Sequence, residues 1–248
     1  MKDVIVIVPA RYESERFPGK VLCPINGKPL IVHVLERIMG SGVSEIIVAT
    51  DSEKIRDVVR SSAGCRVEMT KSDHKCGTDR IAEVAARISS GFVLNVQGDE
   101  LIIGPHMIDQ ILEQCPEDLH IGTLYTRFEA GENVFDTNIV KVLTNRNGRM
   151  IYMSRTPIPH RRGNDAESID YFKQVGLYLF RRDVLLEFSN LEPTALERIE
   201  GIELLRALDY GLPLHGIYSD WPTCDVNVPE DVQDAEKFVG DFDPEKRL

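Results

Sequence analysis

Three cations, Arg11, Arg16 and Lys20, lie within ten residues of one another near the start of the chain. They follow the apolar run from Val4 to Val8, which is typical of a buried parallel strand, and ligands of open α/β sheets collect at the carboxyl ends of such strands. Two guanidinium groups and an ammonium group this close together repel one another unless an anion compensates their charge, and both group types suit phosphate oxygens. The spacing therefore favours a phosphate-binding loop, able to hold a nucleoside triphosphate, over a solvated one.

The loop differs from the two best-known phosphate-binding patterns. It matches neither G-x-x-x-x-G-K-[ST] nor G-x-G-x-x-G. This argues against a P-loop kinase and against a dinucleotide-dependent oxidoreductase.

A second candidate for chemistry is Asp99, which follows a predicted strand in the run Val96-Gln97-Gly98-Asp99-Glu100. Gly98 lets the backbone approach a ligand closely, because it carries no side chain. A lone Asp at a strand end is commonly a helix cap. Its place opposite the basic loop makes Asp99 the best candidate for a metal ligand, since hard cations such as Mg²⁺ prefer oxygen ligands.

These side chains need strands and helices that alternate along the chain to bring them to one sheet edge. The pattern predicts strands at residues 45–51, 66–69 and 92–96, and helices at 31–39, 52–62 and 77–90. Such alternation indicates a mainly parallel sheet with right-handed crossovers.

The alternation breaks between about residues 120 and 179. Strand-like runs at 123–125, 140–143 and 150–153, with a turn signal at 145–148, predict an antiparallel excursion that forms a second wall over the site. Residues 163–168 are predicted to form an exposed loop. Beyond the excursion the pattern predicts helices at 181–189, 196–210 and 229–238 and a strand at 214–217.

Composition excludes several classes of function. A chain of 248 residues with 42% hydrophobic content fits one α/β domain with an inserted lobe. Its net charge of −11 argues against a nucleic-acid partner. The five cysteines and six histidines show no disulfide or metal-ligand spacing. With no leader before the first strand and no apolar run near the roughly 20 residues of a membrane span, we expect a cytoplasmic protein without a membrane partner.

The form Ala-Arg-Tyr-x-Ser-x-Arg-x-Pro-Gly-Lys at residues 10–20, followed by Ile-Asn-Gly-Lys-Pro-Leu at 25–30, resembles the start of the sugar nucleotidyltransferases. Within them it is most similar to the 3-deoxy-manno-octulosonate (Kdo) cytidylyltransferases, whereas the related sialic acid enzymes usually carry a Gly-Gly-Ser version. The resemblance covers nearly the whole chain. It implies a Rossmann-like α/β fold with a mainly parallel twisted sheet (nucleotidyltransferase type A). Residues 1–248 would be one domain, whose antiparallel excursion at about 120–179 is a sugar-binding and dimerisation lobe.

The activity that the resemblance implies is transfer of CMP from CTP to the anomeric hydroxyl of a 3-deoxy-2-ulosonic acid, with release of pyrophosphate. The family uses Mg²⁺, acts as a homodimer and supplies lipopolysaccharide or surface-polysaccharide biosynthesis. Alternatives within the class are another acid acceptor (8-amino Kdo, a sialic-type nonulosonate or a phosphonate) and a uridylyl- or thymidylyltransferase. Outside it, the chain could be a non-catalytic nucleotide-binding protein.

The resemblance also implies roles for individual residues. The catalytic residues are Arg11, Lys20 and Asp99. The nucleotide-binding residues are Ala10, Arg11, Ser14, Arg16, Lys20, Asp73, Gly77, Thr78, Arg80, Gln97 and Gly98. The sugar-binding residues are Gln97, Arg155, Gln174, Tyr178 and Glu203. The chain departs from the family pattern at four positions, which are Cys76 for Ser, Leu101 for Pro, Gln174 for His and Leu204 for Gln.

A further departure concerns the metal site, which needs a second carboxylate beside Asp99. In the family this is the first Asp of Val-Asp-Thr-Pro-Glu-Asp. Aligning the Pro-Glu-Asp at 229–231 places Asn227 on that Asp, with Asp225 two residues upstream. Residues two apart in an extended segment face the same side, so Asp99, Asp225 and Asn227 are the metal-ligand candidates.

Overall fold

The structure is a computed structural model that describes residues 3–13, 17–129, 131–160, 162, 170–221, 226 and 228–241. Its strands, in chain order, are β1 (Val4–Ala10), β2 (Pro24–Ile25), β3 (Lys28–Pro29), β4 (Glu45–Thr50), β5 (Arg66–Met69), β6 (Phe92–Val96), β7 (Ile121–Arg127), β8 (Lys141–Thr144), β9 (Met150–Ser154), β10 (Phe172–Arg181) and β11 (Leu214–Tyr218). The helices are α1 (Leu30–Met39), α2 (Glu53–Ser62), α3 (Gly77–Ala85), α4 (Pro105–Gln114), α5 (Arg182–Ser189), α6 (Ala195–Glu200), α7 (Leu204–Asp209) and α8 (Val232–Asp241). Short 3-10 helices occupy Lys20–Leu22 and Pro229–Asp231.

The main sheet has the strand order β11-β7-β10-β6-β1-β4-β5. Strands β6, β1, β4 and β5 pair in parallel, and every residue of β1 is buried. The continuous apolar run of β1 follows from this position, because helices cover both faces of a parallel sheet. The predicted α/β fold with a mainly parallel sheet is confirmed.

The strands of the predicted excursion join this sheet instead of standing apart from it. Strand β10 pairs antiparallel with β6 and β7, and the β8–β9 hairpin attaches to β10. The register of β10 against β7 shifts between Gln174 and Tyr178. The second wall therefore begins beside β6, the strand that ends at the Asp99 segment.

Side chains of β1 alternate between two cores. Val6 and Val8 pack in the cluster that also contains α1, α2 and α4, whereas Ile5 and Ile7 pack in the cluster that contains α3, α5 and α7. This period of two is the expected geometry of a strand with both faces covered. In the part of the chain that the structure describes, no helix has the length and apolar content required to cross a membrane.

The helices depart from the sequence expectation in three places. Helix α4 was not predicted, and the helix predicted at 77–90 ends at Ala85. The single helix predicted at 196–210 is wrong, because the chain breaks into α6 and α7 at Gly201, whose φ is 62°. Gly adopts this left-handed conformation without steric cost, and the break sets Glu203 at the start of α7.

Candidate active site

The basic loop folds back on itself immediately after β1. The Gly19 N–H donates to the Tyr12 carbonyl at 2.8 Å, and the φ of 72° at Gly19 is one that Gly adopts readily. This turn carries Lys20 inward, where only 9% of the residue is exposed, while Arg11 remains exposed. Ser14 and Arg16 lie outside the described residues.

The Asp99 segment lies against this loop because β6 is the neighbour of β1, with Ile7 opposite Asn95. A Cβ added at Gly98 would lie 3.1 Å from the Pro9 carbonyl oxygen, so a side chain there would separate the two strand ends. The Lys20 ammonium contacts the Asp99 carboxylate. The basic loop and Asp99 thus meet at one sheet edge, as the predicted strand order requires.

The chain returns to Asp99 near its carboxyl end. The N–H of Val226 donates to the Asp99 carbonyl at 3.3 Å. The metal-ligand candidates Asp225 and Asn227 flank Val226 in the sequence and lie outside the described residues. Among the described residues, no group of three His, Cys, Asp or Glu side chains is arranged to hold a metal ion.

The start of α3 packs onto the same edge. A Cβ at Gly77 would lie 3.3 Å from Pro9 and 3.4 Å from the Gln97 amide oxygen, so the helix start, the end of β1 and the end of β6 converge. Cys76 caps the helix, with its Sγ accepting from the Asp79 N–H at 3.5 Å. The thiol therefore caps this helix, and the N-terminus of α3 offers N–H donors to an anion or a polar base.

Thr78 connects this helix to Glu203. The Thr78 hydroxyl donates to the Glu203 carboxylate at 2.6 Å. Burial raises the pKa of Glu203, an effect that hydrogen bonds from Thr78 and Cys76 oppose. The residues assigned to nucleotide and to sugar are thus in direct contact through this pair.

The Tyr178 hydroxyl lies among carboxylates. Its pKa is raised well above the ordinary value, first by burial and then by the negative charges of Glu203, Glu100 and Asp99. A neutral tyrosine in this position can donate a hydrogen bond to a substrate oxygen.

A cavity of about 160 Å³ opens beside Tyr178. The Glu100 carboxylate enters the space that Gly176 leaves without a side chain and accepts the Gly176 N–H at 3.0 Å. The Gln174 side chain also lines the cavity, and among the described residues its buried Nε2 has no hydrogen-bond partner. The remaining lining residues are Glu132, Asn138, Ile139, Val140, Lys173 and Gly176. A buried amide donor without a partner is costly, so this donor suits an oxygen of a polar ligand.

Two arginines predicted to touch substrate are engaged within the protein. The buried Arg80 donates to Asp51 at 3.0 Å and also to the Thr70 hydroxyl, which ties together the ends of β4 and β5. The Arg155 guanidinium donates to the carbonyls of residues 137, 200 and 201 at 2.7, 2.7 and 3.0 Å. Both arginines therefore hold backbone segments in place.

Gln97 and Asp73 complete the set of predicted residues that the structure describes. Gln97 donates through Nε2 to the Asn95 side chain at 3.2 Å. Asp73 is exposed in the loop before α3. Sequence reasoning missed Glu100 and Lys173 as pocket residues, and it missed the buried Lys141 behind the pocket, although a lysine inside an apolar strand pattern is a readable signal of a special position.

The fold and site together define an α/β nucleotidyltransferase, since a cationic loop and an acidic strand end meet beside a polar cavity. The sequence pattern of the cytidylyltransferase family matches residues 5–215, and the chain belongs to that family. A 3-deoxy-manno-octulosonate cytidylyltransferase of Geobacter metallireducens is 44% identical, over 96% of this chain and 98% of the relative. One of Geotalea daltonii is also 44% identical, over 92% and 95%.

Solved structures agree with this assignment. A CMP:2-keto-3-deoxy-manno-octonic acid synthetase complexed with CTP is similar, with a TM-score of 0.88, 36% identity and coverage of 96% of this chain and 98% of that one. The inositol-1-phosphate CTP transferase of T. maritima has a TM-score of 0.70 at 17% identity over 96% of both chains, which shows a shared fold alone.

Proposed function

We propose that this protein transfers CMP from CTP to the anomeric hydroxyl of 3-deoxy-manno-octulosonate or a close analogue and releases pyrophosphate. The observation that carries the proposal is the contact of Lys20 with Asp99 at the sheet edge, beside the cavity lined by Gln174 and Tyr178. The relatives named for this reaction support the choice of both substrates.

The triphosphate would lie on the basic loop. Arg11 and Lys20, with Arg16 and Ser14, would bind its oxygens and neutralise the charge that develops on the departing pyrophosphate. Ala10, Gln97 and Gly98 lie at the adjoining ends of β1 and β6. The cytidine would face the start of α3, where Gly77, Thr78 and the preceding Asp73 lie, and Arg80 would support this segment from behind.

A divalent cation, which we take to be Mg²⁺, fits the donor set of the site. Asp99 supplies a carboxylate that already accepts a cationic partner, and the Val226 contact brings the chain that carries Asp225 and Asn227 to Asp99. Asp99 and Asp225, with Asn227, would hold the ion. When bound, Mg²⁺ neutralises phosphate charge and lowers the pKa of a coordinated hydroxyl.

The sugar acid would occupy the cavity. Gln174 and Tyr178 offer donors there, and Glu203 can accept from a hydroxyl at the boundary with the nucleotide site. The chain would hold both substrates so that the anomeric oxygen faces the α-phosphorus in line with the leaving pyrophosphate. Catalysis then rests on positioning and charge neutralisation, without a dedicated general base.

We also propose that the protein is a cytoplasmic homodimer with no nucleic-acid or membrane partner, working in surface-polysaccharide biosynthesis. In a single domain, residues from about 120 to 179 would form the sugar-binding and dimerisation lobe. Exposed apolar side chains support a contact surface here, with Phe135 72% and Ile151 58% exposed, and Ile199 81% exposed on the adjacent α6.

The test is an acceptor profile. Purified protein, CTP and Mg²⁺ are incubated with 3-deoxy-manno-octulosonate, its 8-amino analogue, a nonulosonate and a phosphonate, and pyrophosphate release is measured. Highest kcat/KM with the first acid or its analogue is the expected result. CTP binding without pyrophosphate release from any acceptor would contradict the proposal and indicate a nucleotide-binding protein without catalysis.

A further inference from the structure

Lys141 buries its ammonium group against the loop that supplies one wall of the cavity. The residue has no exposed surface, although it lies in the apolar strand β8. Its Nζ donates to the carbonyls of Asp136 at 2.6 Å, Ile139 at 2.9 Å and Arg155 at 2.8 Å. An ammonium has three donors, so its hydrogen-bonding capacity is fully used by main-chain oxygens.

These carbonyls belong to two separate segments. Asp136 and Ile139 lie in the loop between β7 and β8, which supplies Asn138 and Val140 to the cavity lining. Arg155 follows β9 on the other side. One side chain thus fixes the outer wall of the cavity to the end of the β8–β9 hairpin.

The connection continues toward Glu203. The Arg155 guanidinium donates back to the Thr137 carbonyl and onward to those of Glu200 and Gly201. The segment at 200–201 leads directly into Glu203. Lys141 and Arg155 therefore form a closed hydrogen-bond network. It joins the loop between β7 and β8, the β8–β9 hairpin and the segment that carries the Glu203 carboxylate.

A second buried lysine holds the same loop. Lys173 on β10 is the register partner of Lys141, and its ammonium pairs with Glu132. The Phe128 ring lies 6.0 Å from the Lys141 ammonium and 5.7 Å from that of Lys173. Like charges placed directly opposite each other on neighbouring strands destabilise a sheet unless each is separately compensated.

The burial carries a cost that an apolar residue would avoid. Desolvation lowers the pKa of Lys141, and a buried cation is tolerated only when its donors are satisfied. A methionine would fill the same space in β8 without that cost. Holding three carbonyls at one point is what the lysine adds.

We infer that Lys141 is a positioning residue for the acceptor: its ammonium sets the spacing between the Asn138 wall and the Glu203 segment, and so controls binding of the sugar acid. The inference rests on the proposed function, in which this cavity takes the acceptor. Lys141 touches neither the basic loop nor Asp99 through any of its three bonds, so its replacement should disturb acceptor binding much more than CTP binding.

The experiment compares wild type with Lys141→Met and Lys141→Arg. The KM for 3-deoxy-manno-octulosonate is measured at saturating CTP and Mg²⁺, and the Kd for CTP by calorimetry without acceptor. Lys141→Met is expected to raise the acceptor KM about tenfold or more and to leave the CTP Kd within about twofold, because a small displacement of a binding wall affects only the substrate that contacts it. Lys141→Arg keeps the charge and the hydrogen-bond donors, and its acceptor KM is expected to lie between those of wild type and Lys141→Met.

Val59→Ala is the matched control, because it loosens a buried position of α2 in the opposite core. It should lower the melting temperature without changing the acceptor KM. An unchanged acceptor KM in Lys141→Met, or an equal rise in Val59→Ala, would overturn the inference. If Lys141→Met does not fold, the test uses Lys141→Arg instead. An acceptor KM of Lys141→Arg equal to that of wild type would then overturn the inference. Failure of the proposed function is separate, since wild type itself would then release no pyrophosphate.

Discussion

The ammonium of Lys20 contacts the carboxylate of Asp99 across 79 positions of sequence. The pair joins the loop assigned to phosphate with the residue assigned to metal, and both side chains are largely shielded from solvent. Lys20 therefore balances the charge of Asp99. In the proposed function, a metal ion at Asp99 and phosphates at Lys20 would each replace one half of this contact, and metal binding would be coupled to nucleotide binding.

The first prediction concerns metal affinity without nucleotide. Lys20→Met removes the cation beside Asp99 and should increase the affinity for Mn²⁺ about two- to fivefold, as expected for loss of one partly exposed charge. Electron paramagnetic resonance of free Mn²⁺ measures this directly. Lys28→Met, which removes an exposed ion pair with Glu36, is the control. An affinity equal to or below that of wild type would show that Lys20 does not oppose the metal.

The second prediction concerns turnover. Arg11→Ala or Lys20→Ala should lower kcat at least tenfold, because loss of one charged contact to phosphate costs about 1.5 to 3 kcal/mol. Circular dichroism should show an unchanged fold. Arg60→Ala, an exposed arginine of α2, should behave like wild type. Wild-type rates in the folded Arg11 and Lys20 variants would remove the basic loop from the mechanism.

The third prediction separates the candidates for the second metal ligand. Asp225→Ala should abolish Mg²⁺-dependent activity nearly as completely as Asp99→Ala, because each carboxylate is needed to hold the ion beside a triphosphate. Asn227→Ala should have a smaller effect, since it removes a neutral ligand, and Asn227→Asp should be tolerated or improve metal affinity. If Asn227→Ala loses most of the Mg²⁺-dependent activity and Asp225→Ala keeps the activity of wild type, then Asp225 is not the second metal ligand.

The fourth prediction follows from the raised pKa of Glu203. A carboxyl group whose pKa is higher in the folded than in the unfolded protein destabilises the fold once it ionises, and the penalty disappears in acid. Glu203→Gln should therefore raise the melting temperature at neutral and alkaline pH and lose this advantage as pH falls toward the ordinary Glu pKa. Glu192→Gln, at an exposed position, should show no such trend. A pH-independent difference between Glu203→Gln and wild type would contradict the burial of this carboxylate.

The fifth prediction tests the proposed dimer. Sedimentation velocity at micromolar concentration should give a dimer for wild type and a monomer for Ile151→Asp, because a carboxylate in an apolar contact lacks a partner. Met39→Asp, at an exposed apolar position at the end of α1, should remain dimeric. A strictly monomeric wild type would refute the dimer.

Much of the parallel half of the fold could be predicted from local pattern. The apolar run of β1, the alternation that follows it, and the cap at Ser52, which accepts from the Ile55 N–H, all depend on residues close in sequence. Helix α4 also had a signal, with Pro105 at its first turn and apolar residues at 107, 108 and 111.

The amino-acid sequence by itself determined that cations and a carboxylate would meet, because parallel strands end at one edge and residue order decides which side chains stand there. Only the tertiary structure decided how those groups are used. Arg80 and Arg155, which the sequence offers as substrate ligands, hold carbonyls or side chains of other segments, and Lys141, which stands out in an apolar strand pattern, joins two segments that only the fold brings together. The physical reason is that a long cation selects its partners among oxygens brought close by distant parts of the chain, and local sequence carries no record of those distances.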